Sequence, residues 1–281
     1  MFMVTEMTQN ILHRILETKR KEVETRRREL DIEELKQRAA DAPRSRNFFR
    51  ALTKRPTRLL NLIAEIKKAS PSAGVIREDF DPVAIARRYE AAGVDAISVL
   101  TDEHYFQGSL EYLTAVRQAV NLPVLRKDFI IDPYQIYEAR AAGADAILLI
   151  AAAMAPGTLM DMMILAAELR MTSLVEVHDA GELLQIRSLI GFPHESYSLL
   201  GINNRDLTTF EVDVNTTIRL AGLVGADTPL VSESGIKTRR DVDRLADAGV
   251  RAVLVGETFM RCDDIAAGVD DLLGPIRGEK E

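Results

Sequence analysis

Three stretches of this chain repeat one pattern: Ala91-Ala-Gly-Val-Asp-Ala-Ile-Ser-Val-Leu100, Ala141-Ala-Gly-Ala-Asp-Ala-Ile-Leu-Leu-Ile150 and Asp247-Ala-Gly-Val-Arg-Ala-Val-Leu-Val-Gly256. Each reads as a helix end, a glycine, and an apolar run too short for another helix and so a buried strand. Gly93, Gly143 and Gly249 stand where a helix closes on a residue with φ > 0, which glycine adopts without a Cβ penalty. Gly93 and Gly143 are 50 residues apart, and Gly143 and Gly249 are 106 apart. These are near two and four units of about 25 residues, the size of one βα repeat in a barrel. The spacing therefore requires further strands between the repeats. Leu59–Lys67, Val124–Lys127, Ser173–Val177, Leu199–Asn203 and Pro229–Glu233 supply them and bring the total to eight. The segments between, such as Pro82–Ala92, Pro133–Ala142, Ala155–Leu169 and Arg239–Ala248, carry helical apolar spacing, and several open on Asp-Pro or a Thr/Asp cap. The predicted fold is α/β, a closed (β/α)8 TIM barrel over residues 59–281. A doubly wound open sheet usually has fewer strands and a Gly-rich turn after the first, which Lys67-Lys-Ala-Ser-Pro-Ser72 is not. Residues 1–58 are read as a helical extension packed against one end of the barrel, in a single structural domain overall.

The 281 residues, 47% hydrophobic, suffice for one such core and leave no room for a second full domain. The lone Cys262 rules out an internal disulfide, and His13, His104, His178 and His194 are too scattered to suggest a metal cage, so no metal and no cofactor are expected. No stretch approaches the ~20 apolar residues of a bilayer span, and the N-terminus lacks a secretory pattern, so no membrane partner and a cytoplasmic location are expected. Net charge is −7, yet Lys19, Arg20, Lys21, Arg26, Arg27 and Arg28 cluster early. They alternate with glutamates around Ile11, Leu12, Ile15, Leu16 and Val23 at helical spacing, without interleaved aromatics. That pattern is a solvated amphipathic helix rather than a nucleic-acid arm.

Barrel strands are buried on both faces, so charges within them need a reason. Here they gather at strand C-terminal ends, where barrel enzymes place their active sites. The first strand carries Glu65 and Lys67 on one side and runs on to Ser70 and Ser72. The third ends Leu125-Arg-Lys-Asp128, so Arg126 and Lys127 point oppositely. The fifth holds Glu176, the sixth ends Gly201-Ile-Asn-Asn-Arg205, and the seventh ends Val231-Ser-Glu-Ser-Gly235. One strand-end lysine can pair with an outer helix, and one glutamate can cap the next helix. Five such strands point instead to a catalytic mouth, because ion pairs built only for stability seldom outperform apolar packing. Ser234-Gly235 and Gly256-Glu-Thr258 follow the last two strands, where backbone N–H groups can meet an anion. The glycines also suit plain tight turns, and Glu257 fits an anion only with its carboxylate turned away.

At these residues the chain resembles the indole-3-glycerol-phosphate synthase family of tryptophan biosynthesis. The match runs from the Ile11-Leu-x-x-Ile15 helix to the end of the barrel. It is most specific at Ala64–Ser72, Leu100–Gly108, Leu125–Ile130, Leu174–Val177, Gly201–Leu207 and Ser232–Gly235. The resemblance implies a carboxy-lyase acting on 1-(2-carboxyphenylamino)-1-deoxyribulose 5-phosphate, a small phosphorylated anthranilate substrate. The ring closes with loss of CO₂ and water. It also implies Lys127 as general acid and Glu176 as general base, with Lys67 or Lys127 donating the later proton. Glu65, Asn203 and Glu233 match the remaining catalytic positions. Ser70, Arg205 and Ser234 match substrate contacts, Phe106, Phe129 and Leu148 match an apolar slot for the anthranilate ring, and Gly235, Gly256 and Glu257 match the phosphate site. His104 stands where many relatives carry lysine, and Glu257 where some carry serine. A monomer is expected, with an oligomer possible. The competing readings are a phosphoribosylanthranilate isomerase-like barrel, which commonly uses a first-strand cysteine, and a non-catalytic phosphate-ligand-binding barrel.

Overall fold

The structure, a computed structural model, describes residues 11–191, 195–206, 211–225 and 228–277. His194 and Leu207, singled out above, lie outside them. Eight parallel strands close into one barrel: β1 (Asn61–Ile66), β2 (Ala96–Leu100), β3 (Val124–Lys127), β4 (Ala146–Ile150), β5 (Thr172–Val177), β6 (Ser198–Asn203), β7 (Leu230–Glu233) and β8 (Ala252–Val255). Closure pairs β1 with β8, Asn61 opposite Ala252. The helices that follow strands β1 to β7 are α4 (Pro82–Ala91), α5 (Glu103–Phe106), α6 (Leu110–Ala119), α7 (Pro133–Ala141), α8 (Pro156–Glu168), α9 (Ala180–Ile186), α10 (Asn215–Ala221) and α11 (Arg239–Asp247). Asp81 and Asp132 explain two of their starts, since each carboxylate accepts from N–H groups of the first turn and the proline after it needs no N–H there. The repeat glycines Gly93, Gly143 and Gly249 all adopt positive φ, at 72°, 92° and 84°.

Alternate strand residues face inward. Ile63, Ala96, Leu125, Ala146, Leu174, Leu199, Val231 and Ala252 fill the barrel, and Ile97, Ile147, Val175 and Val253 pack outward beneath the helices. A two-stranded hairpin, Ala69–Ser70 with Gly74–Val75, follows β1 and was not foreseen.

The extension differs from expectation by engaging both ends of the barrel rather than one. α1 (Ile11–Glu29) buries Leu12, Ile15, Leu16, Lys19 and Val23, and its first turns lie over the C-terminal mouth. α2 (Ile32–Asp41) packs on α7. α3 (Phe48–Thr53) closes the opposite end, where Phe48 and Leu52 join the barrel interior and Asn61 at the start of β1 donates to the Leu52 carbonyl at 2.9 Å. The run of charges on α1 is solvated on one face only. Lys19 lies in the buried face, four residues from both Ile15 and Val23, and is 1% exposed.

Candidate active site

The C-terminal mouth encloses a cavity of about 510 Å³. Its lining includes Glu65, Lys67, Ser70, Lys127, Glu176, Asn203, Arg205, Glu233 and Ser234, together with Phe106, Phe129, Leu148, Gly235, Gly256 and Glu257. The folding thus brings the candidate catalytic, substrate and phosphate residues to one cavity. Strand alternation separates the third pair: Arg126 is buried against α7, bonded to Asp128 at 3.0 Å and Glu138 at 2.8 Å, while Lys127 enters the cavity.

Lys127 sits among carboxyls, its Nζ 3.1 Å from Glu176 Oε2 and 3.5 Å from Glu233 Oε2. Burial alone strips a proton from an amine, but Glu176, Glu233 and Glu65 outweigh it and hold Lys127 above the ordinary lysine range. Burial would likewise raise Glu176. Lys127 and His178 overcome this, with a hydrogen bond from Asn203, and keep it below the ordinary range as a carboxylate. Glu233 behaves oppositely: burial pushes it up to about 8, helped by the neighbouring charge of Glu176 and resisted by Lys127. One lysine thus faces two buried glutamates, and burial beside the Glu176 charge favours the protonated form of Glu233. Lys67 pairs with Glu65 at 2.6 Å. A side chain at Gly256 would collide with the Glu65 carboxylate, so that glycine leaves room for the pair.

The cavity has an apolar wall and a polar one. Phe106 and Phe129 lie with centroids 6.1 Å apart, beside Leu148 and Ile150 and beneath Ile11, Leu12 and Ile15 of α1. The polar wall comprises Ser234, Gly235, Gly256 and Thr258, with Lys237 and Arg261 nearby. Ser234 takes φ 67°, rare for a residue with a Cβ, and Asn204 Nδ2 holds its carbonyl at 3.0 Å. Glu257 turns its carboxylate to Arg261 at 2.9 Å. Cys262 donates to the Thr258 carbonyl and is not part of the lining, which removes the position an isomerase-like cysteine would need.

A family profile described as indole-3-glycerol phosphate synthase matches residues 12–272. The chain belongs to that family. An indole-3-glycerol phosphate synthase of Neisseria gonorrhoeae is 51% identical over 264 residues, covering 94% of this chain and 99% of that one. The family's protein from Geobacillus kaustophilus is 49% identical over 269 residues, covering 96% and 99%. Among solved structures, a 3-hexulose-6-phosphate synthase superposes with TM-score 0.58 at 17% identity over 76% of this chain and 98% of that one, a likeness of fold alone.

Several groups at this family site escaped the sequence reading. Ile11, Leu12 and Ile15 roof it, and the repeating apolar spacing of α1 was the available signal. Lys19 forms ion pairs with Asp102 at 2.8 Å and Asp128 at 3.0 Å, beyond the ends of β2 and β3. Asn204 was read only as part of a motif. Its Oδ1 accepts from the Thr217 backbone at 3.1 Å, and its Nδ2 from across β7 steadies the Ser234 turn. His178 was counted only against metal binding, yet it lies 3.2 Å from Glu176. Of the two departures from the family pattern, His104 is exposed and packs edge-on against Tyr105, and Glu257 is neutralised by Arg261.

Proposed function

We propose that this chain closes the ring of 1-(2-carboxyphenylamino)-1-deoxyribulose 5-phosphate, releasing CO₂ and water to leave indole-3-glycerol phosphate. The observation that carries this reading is an ammonium, Lys127, set between the carboxyl groups of Glu176 and Glu233, beside an aromatic slot within one cavity. Membership of the family supports the same reaction.

Anthranilate fits between Phe106, Phe129 and Leu148, and the phosphate fits the wall of Gly235 and Gly256, with Arg261 and Lys237 as candidate cations. The aromatic carbon bearing the carboxylate then attacks the ribulose ketone. Lys127 stabilises the alkoxide and supplies its proton. Loss of CO₂ restores the aromatic ring. Dehydration follows: an ammonium, Lys127 or Lys67, protonates the departing hydroxyl, and the Glu176 carboxylate accepts the proton released as the new double bond forms. Glu65 pairs with Lys67 and aims it, while Glu233 and Asn203 orient Lys127 and Glu176. Arg205 and Ser70 line the same cavity, which supports assigning them to the substrate's carboxylate and hydroxyls.

Every group in this scheme comes from a single chain, so we infer that a monomer suffices. No described helix is long and apolar enough to cross a membrane, and we assign the activity to the cytoplasm. Incubation of the purified chain with the ribulose phosphate tests the reading. Indole absorbance should rise with stoichiometric CO₂, and folded protein that yields neither would refute it.

A further inference from the structure

Glu176 has a neighbour that the scheme above leaves idle. His178 lies two residues further along the chain, just beyond β5, and its ring is 10% exposed. Its Nδ1 is hydrogen-bonded to Glu182 Oε2 on α9 at 3.2 Å, and its Nε2 makes an ion-pair contact with Glu176 Oε1 at 3.2 Å without the alignment of a hydrogen bond. The same Glu182 oxygen accepts the His178 backbone N–H at 2.9 Å, so the ring is fixed at its base as well as its tip. Glu176 Oε2 meanwhile faces Lys127 at 3.1 Å. The two oxygens of the base are thus divided between two cationic groups. A neutral imidazole has one N–H and could serve only one of its two carboxylates, whereas the imidazolium serves both.

We propose that His178 is a positioning residue for the general base, a doubly protonated bridge from Glu182 that fixes Glu176 Oε1 and leaves Oε2 directed at Lys127 and the substrate. This rests on the reading of Glu176 as the base. The surroundings suit a cation. Beyond Glu176 and Glu182, the cleft around the ring is lined by Asp179, Asp206, Glu211 and Asp213, with Arg219 as its basic member and that arginine paired to Asp213 at 3.0 Å. Burial disfavours the imidazolium, but Glu176 and Glu182 outweigh it and carry His178 up to about 10. A buried carboxylate without this partner would hold its proton to higher pH and be spent as a base.

The test compares His178→Leu, His178→Gln and Glu182→Gln with wild type in steady-state turnover of the ribulose phosphate across pH. His178→Leu should lower kcat by about 10- to 100-fold, a share of what a general base supplies, with KM little changed. Its acid limb should move to higher pH, because Glu176 has lost a cation. His178→Gln restores an N–H donor without charge, so it should recover part of kcat while its acid limb stays displaced. Glu182→Gln does not touch Glu176, and it should bring the alkaline limb to lower pH as the imidazolium loses a partner. A merely structural histidine would lower kcat or Tm without moving either limb, and limbs that superpose on wild type overturn the proposal. Imidazole ¹⁵N resonances provide a reading that needs no turnover and no His178 variant. Wild-type His178 should be doubly protonated at about pH 8, well above the ordinary histidine range, and titrate lower in Glu182→Gln. A neutral ring there overturns the bridge even if the chain proves active, and an inactive chain with a charged ring refutes only the assigned reaction.

Discussion

Lys127 must stay charged to polarise a ketone and yet release a proton when the alkoxide forms. Its neighbours settle the first demand, because Glu176, Glu233 and Glu65 hold the ammonium above the ordinary lysine range despite burial. The second is met only when substrate arrives and an oxygen anion competes for that proton. Lys127→Ala should therefore lower kcat by at least ~10²-fold, the usual scale of a general acid, while substrate still binds. Rapid-quench turnover with a separate binding titration checks this, and near-normal turnover would transfer the role to Lys67. The position of Lys127 was legible because a lysine ending an apolar strand has few places to point. Its protonation partners were not. Glu233 arrives from β7, and whether it or Glu176 holds the proton depends on distances that spacing along the chain does not encode.

Among the elements, α1 departs furthest from its sequence appearance. Its helical period was legible in Ile11, Leu12, Ile15, Leu16 and Val23, but ten charges among residues 17–24 and 26–29 hid which of them the helix buries. Lys19 decides it, with Nζ within 3.0 Å of Glu22, Asp102 and Asp128. Burial opposes its charge, yet Asp128 and Asp102 hold the ammonium well above the ordinary range. Arg26 to Glu138 at 2.9 Å and Tyr134 to the Arg26 carbonyl at 2.9 Å add a second attachment further along the helix. Lys19→Met should leave Asp102 buried without its cation and Asp128 with Arg126 alone, and cost about 3–5 kcal/mol, the scale of a broken buried pair. Because Ile11, Leu12 and Ile15 roof the cavity on the same helix, KM should rise together with the fall in stability. Denaturant titration and steady-state kinetics check both, and a variant with wild-type Cm and KM would show that α1 docks without this contact. The hairpin at Ala69–Ser70 and Gly74–Val75 stayed hidden for a different reason: two residues per strand are too few to show alternation.

At the scale of the whole molecule, we infer that residues 1–58 and 59–281 form one folding unit, since the extension contributes apolar side chains at both ends of the barrel. Its stability then responds to the buried charges collectively, and they respond to pH in opposite directions. Asp128 would be raised by burial, but Lys19 and Arg126 pull it below the ordinary 3.8, so its contribution is present above that value and lost as the pH falls. Glu176 acts in the same sense. Glu233 acts in the other. The unfolded chain releases this proton near 4.5 and the folded chain near 8, so the folded state binds more protons between those values and loses stability as pH rises through them. His178 adds to the decline between 6.5 and about 10, because its folded pKa is also raised. Stability should therefore peak on the acid side of neutrality, with Tm falling toward alkaline pH. Glu233→Gln keeps the shape of the side chain and removes its titration. The Tm of that variant relative to wild type should climb from pH 4.5 and level off past about 8, the decline owed to His178 being common to both proteins. Calorimetric scans across that range measure the difference directly. A constant offset at every pH would mean that Glu233 is already ionised in the folded barrel, and Lys127 would then stand between two carboxylates rather than between a carboxylate and an acid.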